Sequence, residues 1–208
     1  MQRFMPSNMT LVIVALTVAA AALIFRSESY THFVLALVAL TTVVGVGLNI
    51  LLGLAGQVSL GHVGFYAIGS YTTAILTMKG LSFWLAFPIS GAVAGAVGAV
   101  LALPALRVAG PYLAMVTIAF AFIVHHGTVE WKDLTGGQNG LMGLVPPSIG
   151  GHAFAEKEMA LLATVLAGVC LYLFHRLANS AWGKAMVAVC DSETAARSIG
   201  LNLSLIHI

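Results

Sequence analysis

Residues 53–71 read GLAGQVSLGHVGFYAIGSY and place glycine, glutamine, serine and histidine in the middle of apolar sequence. Each unsatisfied backbone group in hydrocarbon costs several kcal/mol. Irregular backbone therefore survives at that depth only where protein or a water-filled cavity surrounds it. We interpret the polar part of this stretch, residues 53–62 and called the polar break here, as the functional centre of a membrane protein, typical of a transport path or an active site.

The composition of the whole chain indicates the same class. Hydrophobic residues make up 60% and charged residues 8% of its 208 residues, and the mean hydropathy is +0.99. Ordinary soluble domains are roughly 25% charged, so we expect an all-α, polytopic transmembrane helical bundle. The net charge of +2 is too small, and its lysines and arginines are too scattered, for a nucleic-acid partner.

Charge-free windows divide the chain into about six predicted spans, because a helix needs about 20 residues to cross a bilayer. The first follows Arg3, as in a signal peptide, but its apolar run is long and lacks a small-residue cleavage site, so we expect an uncleaved span. The windows are Met9–Phe25, Phe33–Leu52, Ser59–Met78, Phe83–Leu103, Pro111–His125 and Met159–Phe174. The distribution of Lys and Arg places the N-terminus in the cytoplasm by a narrow margin.

Small residues predict where helices approach one another. In the fourth window Gly91, Gly95 and Ala99 recur every four residues, which favours close packing of another helix. Other glycines bracket the polar break and can serve either tight packing or unwound backbone; they are Gly45, Gly53 and Gly61.

Cysteine and histidine spacings give no support to a disulfide or a metal site. Cys170 and Cys190 have neither a CxxC spacing nor a Cys/His cluster around them. His125, His126 and Glu130 lack a third histidine at ligand spacing and lie at a predicted membrane edge. We therefore predict no metal, no cofactor and no catalytic residue.

Two polar segments interrupt the apolar windows. Residues 127–157 contain Leu134-Thr-Gly-Gly-Gln-Asn-Gly140 and a Pro146-Pro147 pair, which predict an ordered loop outside the membrane. The Gly-Lys-Ser/Thr ending of a phosphate-binding loop is absent from this glycine-rich run, so ATP is not expected to bind there.

The second polar segment, residues 177–202, predicts a short amphipathic helix outside the bilayer. Ser192 can cap it, Glu193 lies in its positive first turn, Arg197 follows four residues later, and Gly200 ends it. Such a helix either lies on the lipid headgroups or docks into a groove of a partner protein, and the residues alone leave both open.

Four blocks of the chain, in order, resemble the permease subunits of branched-chain amino acid ABC importers. The first is Gly47-Leu-Asn-Ile-Leu-Leu-Gly-Leu-Ala-Gly-Gln57-Val-Ser59-Leu-Gly-His62, continued by Phe65, Gly69 and Tyr71. The second is Pro111-Tyr-Leu-Ala-Met-Val-Thr-Ile-Ala-Phe120, and the third is Leu134 to Gly140. The fourth, Glu193-Thr-Ala-Ala196 with Gly200, is similar to the EAA-type loop that importer permeases offer to their ATPase. The resemblance covers about residues 31–202 and is closest to the longer of the two paired permeases.

The resemblance implies a transport subunit rather than an enzyme. A second permease subunit would share the pathway, cytoplasmic ATP-binding subunits would drive it, and an extracytoplasmic substrate-binding protein would deliver the amino acid. The chain would lie among lipids in the cytoplasmic (inner) membrane of a bacterium or archaeon. Its helices would alternate between outward and inward openings as the ATPases close.

The resemblance also implies roles for particular residues. Gln57, Ser59 and His62 are candidates for lining or gating the path, and the alternative for them is interhelical hydrogen bonding that only holds the bundle together. Contacts with the ATPase would come from the second polar segment, at Gly183, Asp191, Glu193, Ala195, Ala196 and Gly200.

Three other interpretations stay open. A permease for urea or short amides belongs to the same superfamily and shares these blocks. An intramembrane serine hydrolase would use Ser59 and His62, which share a face if one helix carries both, although no partner acid or oxyanion arrangement is visible. The chain can also be a purely structural membrane subunit.

The end of the chain departs from the family pattern, in which further spans follow the EAA-type loop. We therefore expect residues 1–202 to form a partial, C-terminally truncated permease domain. Residues 203–208, Leu-Ser-Leu-Ile-His-Ile, match one reading frame of a common sequencing adapter, and we expect them to be a tail of that origin.

Overall fold

A computed structural model describes residues 8–105 and 111–198 of the chain, and these residues are mostly helical. The helices are α1 (Met9–Arg26), α2 (Ser29–Asn49), α3 (His62–Met78), α4 (Phe83–Ala105), α5 (Pro111–Glu130), α6 (Lys132–Thr135), α7 (Glu156–Asn179), α8 (Ala181–Asp191) and α9 (Glu193–Ser198). A π-helical turn, Ile50–Leu54, continues α2, and a 3-10 turn, Gly137–Asn139, follows α6. The strands β1 (Ser148–Ile149) and β2 (His152–Ala153) pair as a short antiparallel hairpin. The predicted all-α helical class is confirmed.

Within the described residues, five helices are long and apolar enough to cross a membrane. They are Met9–Arg26, Ser29–Leu54, Phe83–Leu103, Tyr112–Glu130 and Glu156–Asn179. The remaining predicted window, Ser59–Met78, contains α3, which starts three residues later and has 17 residues. At 1.5 Å per residue α3 is about 25 Å long, shorter than a hydrocarbon core of about 30 Å. The six expected spans are therefore five long helices and one shorter helix.

The ends of the long helices also differ from the windows. α5 continues to Glu130 instead of ending at His125, and α7 runs over Glu156–Asn179 instead of Met159–Phe174. A charge-free window measures only the part of a helix that suits hydrocarbon, whereas backbone hydrogen bonding extends a helix into the polar headgroup region. At the start of α7 the Glu158 carboxylate accepts a hydrogen bond from the Ala155 N–H at 2.8 Å, which closes the first turn.

Residues 8–57 and 155–198 belong to one compact unit, called unit 1 here. In it α7 packs on both α1 and α2. Gly168 of α7 faces Thr17, and a Cβ built on this glycine would lie 2.7 Å from the Thr17 Cγ2, so glycine allows the close crossing of α1 and α7. His32 closes the turn between α1 and α2, with its Nε2 at 2.9 Å from the Ile24 carbonyl oxygen.

Residues 58–105 and 111–154 belong to the other compact unit, unit 2. Here α3 packs on both α4 and α5. The contact on α4 includes Gly98, whose built Cβ would lie 3.5 Å from the Phe65 ring. Apart from the backbone of their own helix, Gly91 and Gly95 have no described atom within 4 Å of a built Cβ. The predicted packing of another helix on the Gly91, Gly95 and Ala99 face therefore stays a prediction.

The predicted loop over residues 127–157 has regular structure of its own. It contains the last turn of α5, then α6, the 3-10 turn and the hairpin of β1 and β2. Trp84 of α4 holds the hairpin against α4 by two contacts. Its Nε1–H donates to the Ser148 carbonyl oxygen at 3.0 Å, and its ring packs edge to face with Phe154.

Candidate functional site

The polar break begins in unit 1, where α2 widens into the π turn. The Ala55 N–H donates to the Ile50 carbonyl oxygen at 3.2 Å, and the Gln57 N–H reaches back to the Leu51 carbonyl oxygen at 2.9 Å. Between them Gly56 has φ +67°, in the left-handed region where glycine ends helices at little cost. The backbone of this end is thus hydrogen-bonded within the segment, as an apolar environment requires.

The π turn shares its hydrophobic core with the polar segment that follows α7. Leu54, Phe174 and Ala178 are buried together, and the side chains that pack on them come from α2, the π turn, α7 and α8: Val46, Ile50, Leu177, Met186 and Val187. Beside this cluster, Gly56 lies against Cys190 of α8. A Cβ built on Gly56 would touch the Cys190 Sγ and lie 3.5 Å from the Cys190 Cβ.

The break continues in unit 2, where residues 58–61 are not helical and lie against α5. The Leu60 N–H donates to the Thr117 Oγ1 at 3.0 Å. A Cβ on Gly61 would lie 2.7 Å from the Thr117 carbonyl oxygen, and one on Gly64 would lie 2.7 Å from the Phe120 ring. The spacing of Gly61 and Gly64 therefore lets α5 approach the start of α3.

The three candidate path residues have different surroundings. Gln57 is half-buried at the end of the unit 1 segment, Ser59 is buried in non-helical backbone, and His62 opens α3 with its ring edge to face with Phe65 at 6.4 Å between centroids. Because Ser59 precedes α3, it shares no helical face with His62. The helical argument for a serine hydrolase is therefore wrong.

Thr117 and Phe120 were missed as residues that shape this site. Both fall in the second block quoted above, but the sequence offered no reason to single them out. The useful signal was the Gly61 and Gly64 pair, because two glycines three apart at a helix start indicate that another helix lies close to that face.

The second polar segment begins with a tight corner between α7 and α8. The Ser180 Oγ caps α8 by accepting from the Gly183 N–H at 3.2 Å. Gly183 is buried, and a Cβ there would touch the Leu177 carbonyl oxygen and lie 2.8 Å from the Ala178 Cα. This predicted coupling residue therefore sets the angle of the corner. The residues of α8 were not predicted to form a helix of their own.

The predicted short helix is present as α9. Ser192 has extended backbone, and its Oγ accepts from the Ala195 N–H at 3.3 Å, so the predicted cap is confirmed. Asp191 and Ala195 are exposed, whereas Ala196 is only 2% exposed. Ala196 therefore packs inward in this chain, and its expected contact with a partner groove stays a prediction. Glu193 begins α9, and the expected helix end at Gly200 and the tail over 203–208 lie outside the described residues.

Gly45, expected to bracket the break, lines a cleft on unit 1 instead. The cleft has a volume of about 330 Å³ and is mostly apolar, with Thr42 and Asn49 as its polar residues. The Asn49 side chain also covers Gly53. Among the described residues, no group of three or more His, Cys, Asp or Glu side chains is arranged to hold a metal ion.

Comparisons with known proteins agree with the resemblance given above. A family model described as the permease component of branched-chain amino acid transport systems matches residues 30–208. The chain is 35% identical to the high-affinity branched-chain amino acid transport system permease protein LivM of Escherichia coli K12, over 92% of this chain and 51% of that protein. It is 32% identical to LivM of Salmonella typhimurium, over 95% of this chain and 52% of that protein. The chain spans about half the length of these curated relatives, and no solved structure matches it significantly.

Proposed function

The chain belongs to the family of branched-chain amino acid transport permease components, and from this premise we propose that it forms part of the translocation path of an ATP-driven importer for branched-chain amino acids. The observation that carries the proposal is the polar break itself. Residues 55–61 leave the helical conformation between two apolar helices, with their turn built on a left-handed glycine. Discontinuous helices of this kind form substrate sites in many transporters.

Gln57, Ser59 and His62 line or gate the path in this proposal. Their uncharged polar groups suit a zwitterionic amino acid with an apolar side chain, which must be held weakly enough to be released. The chain performs no bond chemistry, and its family indicates a transport subunit. It works with a second permease subunit and receives the amino acid from an extracytoplasmic binding protein at the inner membrane.

The segment of α8 and α9 contacts the cytoplasmic ATPase. Its exposed residues Asp191 and Ala195 are available to a partner, and Glu193 lies between them in the sequence. Gly183 and Ala196 contribute indirectly, by packing inside the segment, since both are buried within the chain. Closure of the ATPase pair would displace α9 and through it the membrane helices.

Co-purification with the ATP-binding subunit of the same importer tests the coupling surface. We expect Ala195→Arg to lower the recovered ATPase at least roughly fivefold, because a long charged side chain prevents close docking of a helix in a groove. The matched control is Ala153→Arg, which changes another exposed alanine, on β2. Equal recovery with both variants would contradict the coupling role and favour a purely structural subunit.

Uptake of labelled leucine by cells that carry the complete importer tests the substrate class. Excess valine and isoleucine should compete with leucine, and excess urea or acetamide should not. Competition by urea or acetamide alone would indicate a short-amide substrate in place of an amino acid. The co-purification result for the ATPase would still hold.

A further inference from the structure

Cys190 lies three residues before the first residue of α9, and its side chain lies directly on Gly56 at the polar break. We propose that this contact is the joint through which the ATPase-coupling segment positions the break, with Cys190 as a positioning residue. The inference rests on the proposed function and deepens it, because it identifies where a movement of α9 reaches the path. Both residues belong to unit 1.

The local backbone makes Gly56 a suitable end for such a joint. Its positive φ directs the chain out of the π turn towards Gln57, and a small rotation there changes the direction in which Gln57 leaves the π turn. Because Gly56 has no side chain, the Cys190 thiol fills the space that a Cβ would occupy. A shift of the thiol is therefore transmitted directly to main-chain atoms.

The surrounding packing explains why α8 and the end of α2 would move together. Leu54 of the π turn shares one buried cluster with Met186 and Val187 of α8. Only Asp191 and the extended Ser192 separate Cys190 from α9. A displacement of α9 is thus transmitted to Cys190 through two residues of backbone, and to the π turn through the side-chain packing of α8.

The π turn itself is a place where a helix can rearrange. π turns are rare, are found mostly as single turns, and occur frequently at functional sites. Here Ile50 and Leu51 accept hydrogen bonds from Ala55 and Gln57 in a wide pattern. A change to the narrower α pattern would shift the start of the polar break without leaving the backbone unbonded.

An engineered disulfide tests the joint. The built Cβ on Gly56 lies 3.5 Å from the Cys190 Cβ, within the range of about 3.5–4.5 Å found in disulfides. We expect Gly56→Cys in a Cys170→Ala background to form this bond when copper phenanthroline withdraws two electrons and two protons leave. Leucine uptake should then fall at least roughly tenfold and return with dithiothreitol, because alternating access needs both arrangements of the helices. Recovery of the ATPase should stay unchanged.

Two controls isolate the bond. Gly56→Cys combined with Cys190→Ala cannot form it, and Gly45→Cys adds a cysteine whose Cβ has no described atom within 4 Å apart from the backbone of its own helix. Oxidation should leave uptake unchanged in both. Failure of the disulfide to form, or unchanged uptake once a gel shift shows that it has formed, would overturn the joint. Absence of leucine uptake by the unaltered importer would instead overturn the proposed function.

A second pair of variants keeps native Gly56, in case cysteine at its left-handed conformation prevents folding. Cys190→Ser preserves the size of the side chain and should preserve uptake. Cys190→Leu is larger at an exposed helical position, and it should lower uptake at least roughly threefold while ATP hydrolysis and ATPase recovery continue, because displaced switching elements uncouple the two events. Equal uptake by the two variants would overturn the positioning role.

Discussion

The two flanks of the polar break are held by different kinds of contact. In unit 1, Gly56 meets the flexible side chain of Cys190, which belongs to the segment we propose as the ATPase contact. In unit 2, Gly61 meets the backbone carbonyl of Thr117 in the long apolar helix α5. A side chain can move by changing its rotamer, whereas a helix backbone cannot move alone. The first flank is therefore suited to movement and the second to support.

The largest expected effect is the loss of the supporting flank. Gly61→Ala would place a methyl group 2.7 Å from the Thr117 carbonyl oxygen, and we expect the free energy of unfolding to fall by about 3 kcal/mol, because α5 must shift as a whole. Gly69→Ala on α3 is the control, since no described atom lies within 4 Å of its built Cβ, and it should raise stability by about 0.5 kcal/mol. Thermal unfolding of the purified protein in detergent measures both effects. Similar melting temperatures for the two variants would contradict the supporting role of the contact between Gly61 and Thr117.

A smaller effect is expected on the moving flank. Gly56→Ala and Gly80→Ala both force a left-handed conformation on alanine, which costs about 1–2 kcal/mol. Only Gly56 has an added contact with Cys190, since the space around Gly80 contains no described atom within 4 Å. We expect Gly56→Ala to cost about 1 kcal/mol more than Gly80→Ala. Adding Cys190→Ala to Gly56→Ala should remove the extra cost of the Cys190 contact and leave only the cost of the left-handed conformation. An extra cost that persists in the double variant would argue against the contact.

The smallest effect concerns one hydrogen bond of the supporting flank. Thr117→Val removes the hydroxyl that accepts from the Leu60 N–H and donates to the Ala114 carbonyl oxygen of its own helix. Thr41→Val serves as the control, because the Thr41 hydroxyl donates to carbonyl oxygens of its own helix. The difference between the two variants should be about 1 kcal/mol in the free energy of unfolding. A difference near zero would show that Leu60 is held by packing alone.

Local sequence signals predicted much of the fold. Apolar windows located the long helices, and Ser192 marked the start of α9, because hydropathy and helix capping depend on residues close together in the chain. The same signals misplaced helix ends, missed α8 and gave α3 three residues too many. Windows measure the suitability of side chains for hydrocarbon, whereas the start of α3 follows from the non-helical backbone before it.

The sequence by itself determined that this is a membrane-helical chain with a polar break, four family blocks and a capped helix beyond the last long span. Only the tertiary structure showed that α5 supports Gly61, that Cys190 covers Gly56, and that Ala196 packs inward while Ala195 is exposed. Glycine has no side chain from whose chemistry its contacts could be predicted. The partners of Gly56 and Gly61, Cys190 and Thr117, lie far from them in the sequence. Contacts of this kind depend on how helices pack, which no local spacing of residues encodes.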